Sequence, residues 1–365
     1  MRLFIIPFLF FACINAISQE ITNILRFDSG FLFYQDTIFV DIDEEMTHAL
    51  NFDCGFSLYQ DTIFVDIKGE MTHALKYHDK FYVLFEQKVK FATTKSWLYI
   101  FTNGNIEKIV DFPKGLNTVY LDFFVKKDRI VLKPYMNMQN YCFDTKNYKW
   151  KKIDKADDLI FEDKNFYVYS LDFGEWGGKT WFKDKKTGIE YAIESRTPLV
   201  NKIDTTYYLT NGLIVKKIDN PLKLNKCDDD VTYENIEKDA KYTYWYGKPI
   251  GFDIVYKSLT TSYNFDFSYK PYIVTSFVFQ NELLHIYETD KETYIAIIEN
   301  KKIRVIQKIA NNLRFYNWHY SYRCKNLNGN NELLKFKTED EKLFGLMEII
   351  DNTIFIQYLK NKTKE

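Results

Sequence analysis

The chain has 365 residues, 46% of them hydrophobic and 27% charged, with 49 Lys+Arg against 50 Asp+Glu. This apolar content excludes intrinsic disorder, and seven Pro with 14 Gly exclude collagen-like and low-complexity chains. A net charge of −1 argues against a phosphate-tracking surface, so nucleic acid is not an expected partner.

Residues 1–18 read as a signal peptide. Arg2 gives the positive start, and Leu3 to Ala12 form an apolar run. That run is shorter than the roughly 20 residues a spanning helix needs. Ala16-Ile17-Ser18 place small residues for cleavage before Gln19. Phe10 and Phe11 before Cys13 are bulky where a lipid-attachment box wants small residues, so a lipoprotein is not expected. No later stretch has 18 uninterrupted apolar residues, and no transmembrane segment is expected in the mature chain. A secreted or periplasmic protein is the expectation. Cys54, Cys142, Cys227 and Cys324 then remain, with no CxxC or CxH spacing for a metal. An oxidising compartment would permit a disulfide, with three full pairings open to four Cys, but scattered in this way they read as free, mostly buried thiols.

Residues 27–51 recur as 52–76, with 19 of 25 positions identical. A 25-residue unit is shorter than a propeller blade of about 40–45 residues. The extra copy therefore adds a spare strand, Tyr34 to Ile42 or Tyr59 to Ile67, and the two copies compete for one place in a sheet. The second copy runs directly into the strand at Lys80–Glu86 and is expected to hold that place. The expected organisation is a signal peptide (1–18), N-terminal strands with the duplication (19–76) and a single β-propeller-like domain (77–365).

Past the duplication, short runs of alternating or fully apolar, β-branched and aromatic residues are broken by Asp, Asn, Gly and Lys. A phrase recurs in which Asp or Asn precedes aromatic and aliphatic residues. It appears at Asp79–Val83, Asp128–Leu132, Asp163–Val168, Asp204–Leu209 and, more loosely, Asn281–Leu284. Asp and Asn suit such turns because they bond to nearby backbone and tolerate left-handed geometry. Second turns follow at Asn103-Gly104-Asn105, Lys146-Asn147, Thr187-Gly188 and Asn300-Lys301. Two hairpins per repeat make a four-stranded antiparallel sheet, and such sheets around an axis make a β-propeller. Units fall near 70–112, 116–154, 157–194, 198–225, 270–308 and 312–359. Residues 226–269 read as irregular, with a solvated acidic insertion, and residues 19–69 are available to close the ring. The expected fold is all-β, a β-propeller of six to seven four-stranded blades; the alternative is a β-sandwich or an irregular β-repeat.

The segment Tyr167-Val168-Tyr169-Ser170-Leu171-Asp172-Phe173-Gly174-Glu175-Trp176-Gly177-Gly178, with a Lys/Thr-rich turn after it, resembles a phrase in uncharacterised secreted β-propeller-like bacterial proteins with no assigned activity. The resemblance extends loosely over 160–225, includes Asn220-Pro221, and implies the fold without any catalytic residue.

Candidate chemistry is sparse. Glu45/His48 and Glu70/His73 match Glu-x-x-His, which on a helix would share one face. The helices that a di-iron site also requires are missing from the pattern, so a structural hydrogen bond is the expected role. Asp228-Asp229-Asp230 lacks the alternating spacing of a Ca²⁺ loop. There is no nucleophile elbow, P-loop or Gly-x-Gly-x-x-Gly, and no cofactor or metal is expected. The ligand-binding candidates are Asp172, Glu175 and Trp176 among three glycines, and Trp245 with Tyr246 in the irregular stretch. A carboxylate beside an indole on a glycine loop suits a sugar or a cation. The expected function is an exported, non-enzymatic binding or scaffold protein that presents propeller loops to a protein or glycan. The alternative is a polysaccharide-acting hydrolase or lyase with paired carboxylates in the axial channel.

Overall fold

Strands of period two bury one face against each neighbouring layer, and this chain stacks such sheets around an axis. The structure, a computed structural model, describes residues 25–27, 30–32, 41–42, 45–46, 48–51, 55–90, 93–116, 118, 121–126, 128–134, 139–154, 156, 159–173, 177–239, 249–258, 271–290, 292–311, 313–315, 332–338 and 343–361.

At the N-terminus β1 (Leu25–Phe27) and β2 (Gly30–Leu32) pair as one hairpin, and β3 (Asp41–Ile42) and β4 (Glu45–Met46) as another. β5 (His48–Asn51) and β6 (Ser57–Val65) follow. Blade 1 is β7 (Glu70–Tyr77), β8 (Lys80–Lys90), β9 (Thr93–Thr102) and β10 (Asn105–Asp111). Blade 2 is β11 (Leu121–Lys126), β12 (Arg129–Pro134), β13 (Asn140–Asp144) and β14 (Lys149–Ile153). Blade 3 is β15 (Leu159–Glu162), β16 (Phe166–Asp172), β17 (Gly178–Asp184) and β18 (Glu190–Glu194). Blade 4 begins with β19 (Leu199–Ile203), β20 (Thr206–Thr210) and β21 (Ile214–Ile218). An insertion then carries β22 (Asn225–Lys226), which pairs with β18, and helix α1 (Tyr233–Asp239). After it, β23 (Asp253–Lys257) returns to pair with β21. Blade 5 is β24 (Tyr272–Phe279), β25 (Glu282–Glu288), β26 (Glu292–Glu299) and β27 (Lys302–Asn311). Blade 6 is β28 (Leu313–Phe315), β29 (Glu332–Thr338), β30 (Phe344–Ile350) and β31 (Thr353–Asn361).

The result is a six-bladed β-propeller. Its first strands approach one another around the axis, as β7 with β11 and β19 with β24. The unit expected over 198–225 therefore runs on to Lys257. Within 226–269, the span expected to be irregular, the chain forms a helix and the outer strand of blade 4.

The ring is closed from the N-terminal side. β6 lies parallel to β31 over nine residues, from Thr353↔Ser57 to Asn361↔Val65. The parallel sense follows from chain direction, because β6 leads into the innermost strand of blade 1 just as an outer strand leads into the next blade. β6 and all of β7 except Tyr77 come from the second copy of the duplication. β5, which belongs to the first copy, pairs antiparallel with the outer edge of β6 (Ala49↔Tyr59, Leu50↔Leu58).

The recurrent Asp/Asn phrase marks the hairpin between the first and second strands of blades 1 to 5. Asp128, Asp204 and Asn281 sit there with φ of +58°, +52° and +64°. The same residues clamp adjacent blades. The Tyr77 hydroxyl donates to Asp128 Oδ1 at 2.9 Å, and the Tyr207 hydroxyl to Asp163 Oδ2 at 2.6 Å.

Apolar clusters join the blades. One unites Leu75, Leu84 and Leu98 of blade 1 with Phe123, Ile130 and Leu132 of blade 2. Blades 3 and 4 share Val168, Phe182, Val200 and Leu209; blades 4 and 5 share Val215, Tyr256 and Ile273. Blades 5 and 6 share Ile286, Ile295, Phe336 and Met347, and Val83, Phe85, Leu333 and Leu346 bridge blades 6 and 1. Each such side chain contributes about 1.5–3 kcal/mol on burial, against about 0–1 for a surface ion pair, so these clusters dominate cohesion. Between blades 2 and 3 no cluster among the described residues contains side chains of both sheets. Phe124, Val131, Ile153 and Ala156 gather on the blade 2 side, whereas Trp181, Ala192 and Tyr169 of blade 3 pack with Cys227, Tyr233 and Ile236 of the insertion.

Candidate functional site

Strand direction divides the ring into two ends. One carries the hairpins within each blade at the Asp/Asn turns. The other carries the middle hairpins and the blade-to-blade connections. The β16–β17 hairpin, which contains Asp172, lies at the connection end. The chain between β21 and β23, which contains Trp245 and Tyr246, leaves its sheet at the turn end. Glu175, Trp176, Trp245 and Tyr246 themselves fall outside the described residues.

Around Asp172 the glycines have assignable backbone work. Phe173 N donates to Gly177 O at 2.8 Å, and Gly177 has φ +92°. A Cβ on Gly178 would stand 2.7 Å from Arg196 Cα. The missing side chain lets the β18–β19 connection cross the hairpin, with Ser195 N donating to Gly178 O at 3.1 Å. That crossing brings Arg196 Nε to 3.4 Å from Asp172 Oδ1. Below, Thr180 Oγ1 donates to Ser195 O at 2.9 Å and lies 3.0 Å from Ser170 Oγ. The locus is thus a charged pair on a fixed hydrogen-bonded base at the mouth of a loop. Arg196 gave no sequence signal, because its partner is 24 residues away by chain and adjacent only through the crossing.

The insertion covers the outer part of blade 3. Tyr233 N donates to Glu190 Oε2 at 2.7 Å, Trp181 Nε1 donates to Val231 O at 3.0 Å, and Tyr233 stacks on Tyr169 at 4.4 Å. Buried beneath it, Lys179 is 1% exposed with its ammonium 5.6 Å from the Trp181 ring; burial pushes its pKa down. Cys227 is a free thiol pushed up to about 12 by burial, which makes it a poor nucleophile. Cys142 is also free, and Cys54 and Cys324 lie outside the described residues.

Near the axis, the inner-strand acids Glu70, Asp122 and Glu162 do not gather. Glu70 and Glu162 sit at opposite ends of their strands and Asp122 is 2% exposed. His73 of the Glu-x-x-His pattern is on a strand, not a helix. Burial, reinforced by Lys335, holds it down at about 3, and Leu121 backbone is its hydrogen-bonding neighbour. His285 is also lowered to about 3 by burial; its Nδ1 lies 2.6 Å from Ser276 Oγ. Its Nε2 is without a protein partner. This Ser–His contact is sealed between blades 4 and 5, where Ser276 Oγ also donates to Thr210 Oγ1 at 3.0 Å, so no substrate reaches it.

The carboxylates displaced from their ordinary range, Glu107, Asp144, Asp163, Asp184 and Asp219, are all held low. Burial pushes Asp163 upward, but hydrogen bonds from Lys202 and Tyr207 outweigh it and hold the group at about 2. The others are lowered chiefly by hydrogen bonds: from Lys80 on Glu107, Lys151 on Asp144, Lys186 backbone on Asp184 and Lys217 on Asp219. Among the described residues no three His, Cys, Asp or Glu side chains come together to hold a metal ion, and no helix is long and apolar enough to cross a membrane.

Sheet order alone thus defines the class, a six-bladed β-propeller. No protein-family model matches the chain, and no curated protein matches it. Among solved structures, an acylaminoacyl peptidase in complex with Z-Gly-Gly-Phe-chloromethyl ketone aligns at 9% identity and a TM-score of 0.33, covering 91% of this chain and 60% of its own. Hsv2 of Kluyveromyces lactis aligns at 11% identity and a TM-score of 0.30, covering 88% of this chain and 93% of its own. The chain spans about three-fifths of the peptidase. Neither likeness bears on function.

Proposed function

We propose that this chain is an exported, non-enzymatic binding protein whose propeller presents a face to a protein or glycan. Export rests on the signal-peptide pattern of residues 1–18. The binding reading rests on one observation. Among the described residues every carboxylate displaced from its usual range is pushed down by its hydrogen-bonding partners, lysine side chains at Glu107, Asp144, Asp163 and Asp219 and the Lys186 backbone at Asp184, whereas a polysaccharide hydrolase needs a general acid pushed up. The inner strands support it further, with Leu121, Phe123, Val200, Ile273, Val274 and Phe315 all buried. In this reading Asp172, with its Arg196 partner, and the neighbouring Glu175 and Trp176 form one contact locus, and Trp245 with Tyr246 a second. The test is a glycan-array and pull-down screen of residues 19–365, run beside a reducing-end release assay on polysaccharides. Saturable capture without release is expected. Steady release of new reducing ends would overturn the reading.

A further inference from the structure

Asn-Gly occurs at Asn103-Gly104, Asn211-Gly212 and Asn328-Gly329, and the fold treats the first two in opposite ways. The last lies outside the described residues. Such a pair can modify itself, because a glycine has no Cβ to keep its backbone nitrogen from the preceding asparagine side chain. The nitrogen and the side-chain carbon must approach to about 3 Å, and water must reach them to carry the protons. Thr102 and Thr210 precede the two described pairs, so their local sequence is matched.

Asn103-Gly104 is the whole loop of the β9–β10 hairpin. The ladder ends at Thr102↔Asn105, which leaves both loop residues outside it. Their φ values of +49° and +74° are of the sign a type I′ turn requires. Asn103 is exposed, and among the described residues it is hydrogen-bonded only through its carbonyl, which accepts from Asn105 Nδ2 at 3.1 Å. Its carboxamide is left to turn. Beneath the tip, Lys80 and Thr102 donate to Glu107 at 2.7 and 2.6 Å, so the strands stay together while the loop moves.

Asn211-Gly212 lies in the β20–β21 hairpin. Here Asn211 Oδ1 accepts from Ile214 N at 3.0 Å, and Asn211 N donates to Ile214 O at 3.1 Å. Gly212 is buried, and its carbonyl accepts from Ile273 N of blade 5 at 2.9 Å. The carboxamide is tied down, the glycine is pinned between two blades, and water is kept from its nitrogen.

We infer that Asn103 is a site of spontaneous modification, with the Gly104 backbone as nucleophile and water as co-reactant, and that the fold shields Asn211 from the same reaction. Water takes the Gly104 amide proton and the nitrogen attacks Asn103 Cγ. As that C–N bond forms, the Cγ–Nδ2 bond breaks and the amide leaves, protonated, as ammonia. One water then opens the five-membered imide at either carbonyl. Opening at Cγ leaves aspartate; opening at the main-chain carbonyl leaves isoaspartate, whose backbone is one carbon longer. Nothing is oxidised or reduced. The longer loop cannot keep the Thr102↔Asn105 register, and its tip rests on the strand that closes the ring, since a Cβ on Gly104 would lie 3.8 Å from Ile63 Cγ1 of β6. This chemistry is independent of what the propeller binds.

The experiment is peptide mapping by mass spectrometry of residues 19–365, kept folded in mildly alkaline buffer at physiological temperature, beside the same chain unfolded in urea. In urea the two peptides should gain the amide-to-acid mass shift at similar rates. In the folded chain the Asn103 peptide should convert at least about tenfold faster than the Asn211 peptide, whose two hydrogen bonds must first break. Asn103→Gly keeps a residue suited to positive φ and should remove the faster conversion. Equal conversion of both sites in the folded chain would overturn the inference, as would an unchanged Asn103 peptide when the urea sample converts. Unequal rates in urea would trace the contrast to sequence rather than fold, and a shift that persists in Asn103→Gly would place it at another residue; either result overturns it as well.

Discussion

Two residues decide which copy of the duplication closes the ring. Gly69 has φ +89°, and a Cβ there would stand 2.3 Å from Glu86 O. The first copy has Glu44 at the matching position, so it cannot take that place without moving β8. Lys76 Nζ reaches both oxygens of Glu348 at 2.6 and 2.8 Å, and the first copy offers Asn51 instead. Gly69→Ala is therefore expected to lower unfolding free energy by about 3 kcal/mol, combining backbone strain with the clash, as measured by urea denaturation. A loss under about 0.5 kcal/mol would mean that β8 yields easily. A second residue sets acid sensitivity. His285 is fully buried and its folded pKa lies near 3, below its ordinary value of 6.5. Only the unfolded chain takes up this proton between those values, so stability is lost as pH falls below 6.5. Between pH 7 and 5 the loss from this residue is about 2 kcal/mol. His73 adds a loss of the same sign, whereas the turn carboxylates titrate lower. Replacing His285 with Gln should flatten the pH 7–5 slope of unfolding free energy; an unchanged slope would show that the imidazole is protonated in place.

At the scale of the element, the first copy is surplus to closure and serves as an edge strand. Deleting 27–51 should leave the melting temperature within a few degrees of the parent. Deleting 52–76 should abolish folding unless Glu44→Gly and Asn51→Lys are supplied together, and circular dichroism melts of the three chains test this. Rescue without those two changes would show that the copies are interchangeable. Much of this architecture is legible in the chain. The Asp and Asn phrase is visible because one side chain meets two demands, a left-handed turn and a clamp to the next blade, as at Asp128. Outer strands are readable too, since β10, β14 and β27 carry exposed charges such as Glu107, Lys151 and Arg304 that blunt their free edges. What stays hidden depends on contacts distant in sequence. β23 joins β21 across 34 intervening residues, and the insertion between them spends its apolar residues Tyr233 and Ile236 on blade 3 rather than on its own sheet. Arg196 is hidden for the same reason, and the charged face of blade 2 appears only once register shows that Asp122, Lys126, Arg129 and Lys133 share it.

The whole molecule is a ring with five joints that share an apolar cluster and one split joint. A closed ring opens where the least apolar area must be exposed, and that is between blades 2 and 3. Blade 2 stays joined to blade 1, and blade 3 to blade 4, because those pairs share buried clusters. Opening would therefore separate two rigid arcs rather than melt a sheet. One face of blade 2 carries Lys126, Arg129, Lys133, Lys149 and Lys151 against Asp122 and Asp144, the last paired with Lys151 at 2.6 Å, and added salt screens the net repulsion over about 8 Å at 0.15 M. Raising NaCl from about 20 to 300 mM should thus slow hydrogen exchange in β11, β12, β15 and β16 more than in β24 and β25, which share buried apolar clusters with both neighbouring blades. Exchange read by mass spectrometry at several denaturant concentrations resolves the order. If β24 and β25 open first, or if salt protects all six blades alike, the split joint is no weaker than the rest and the two-arc view of the ring fails.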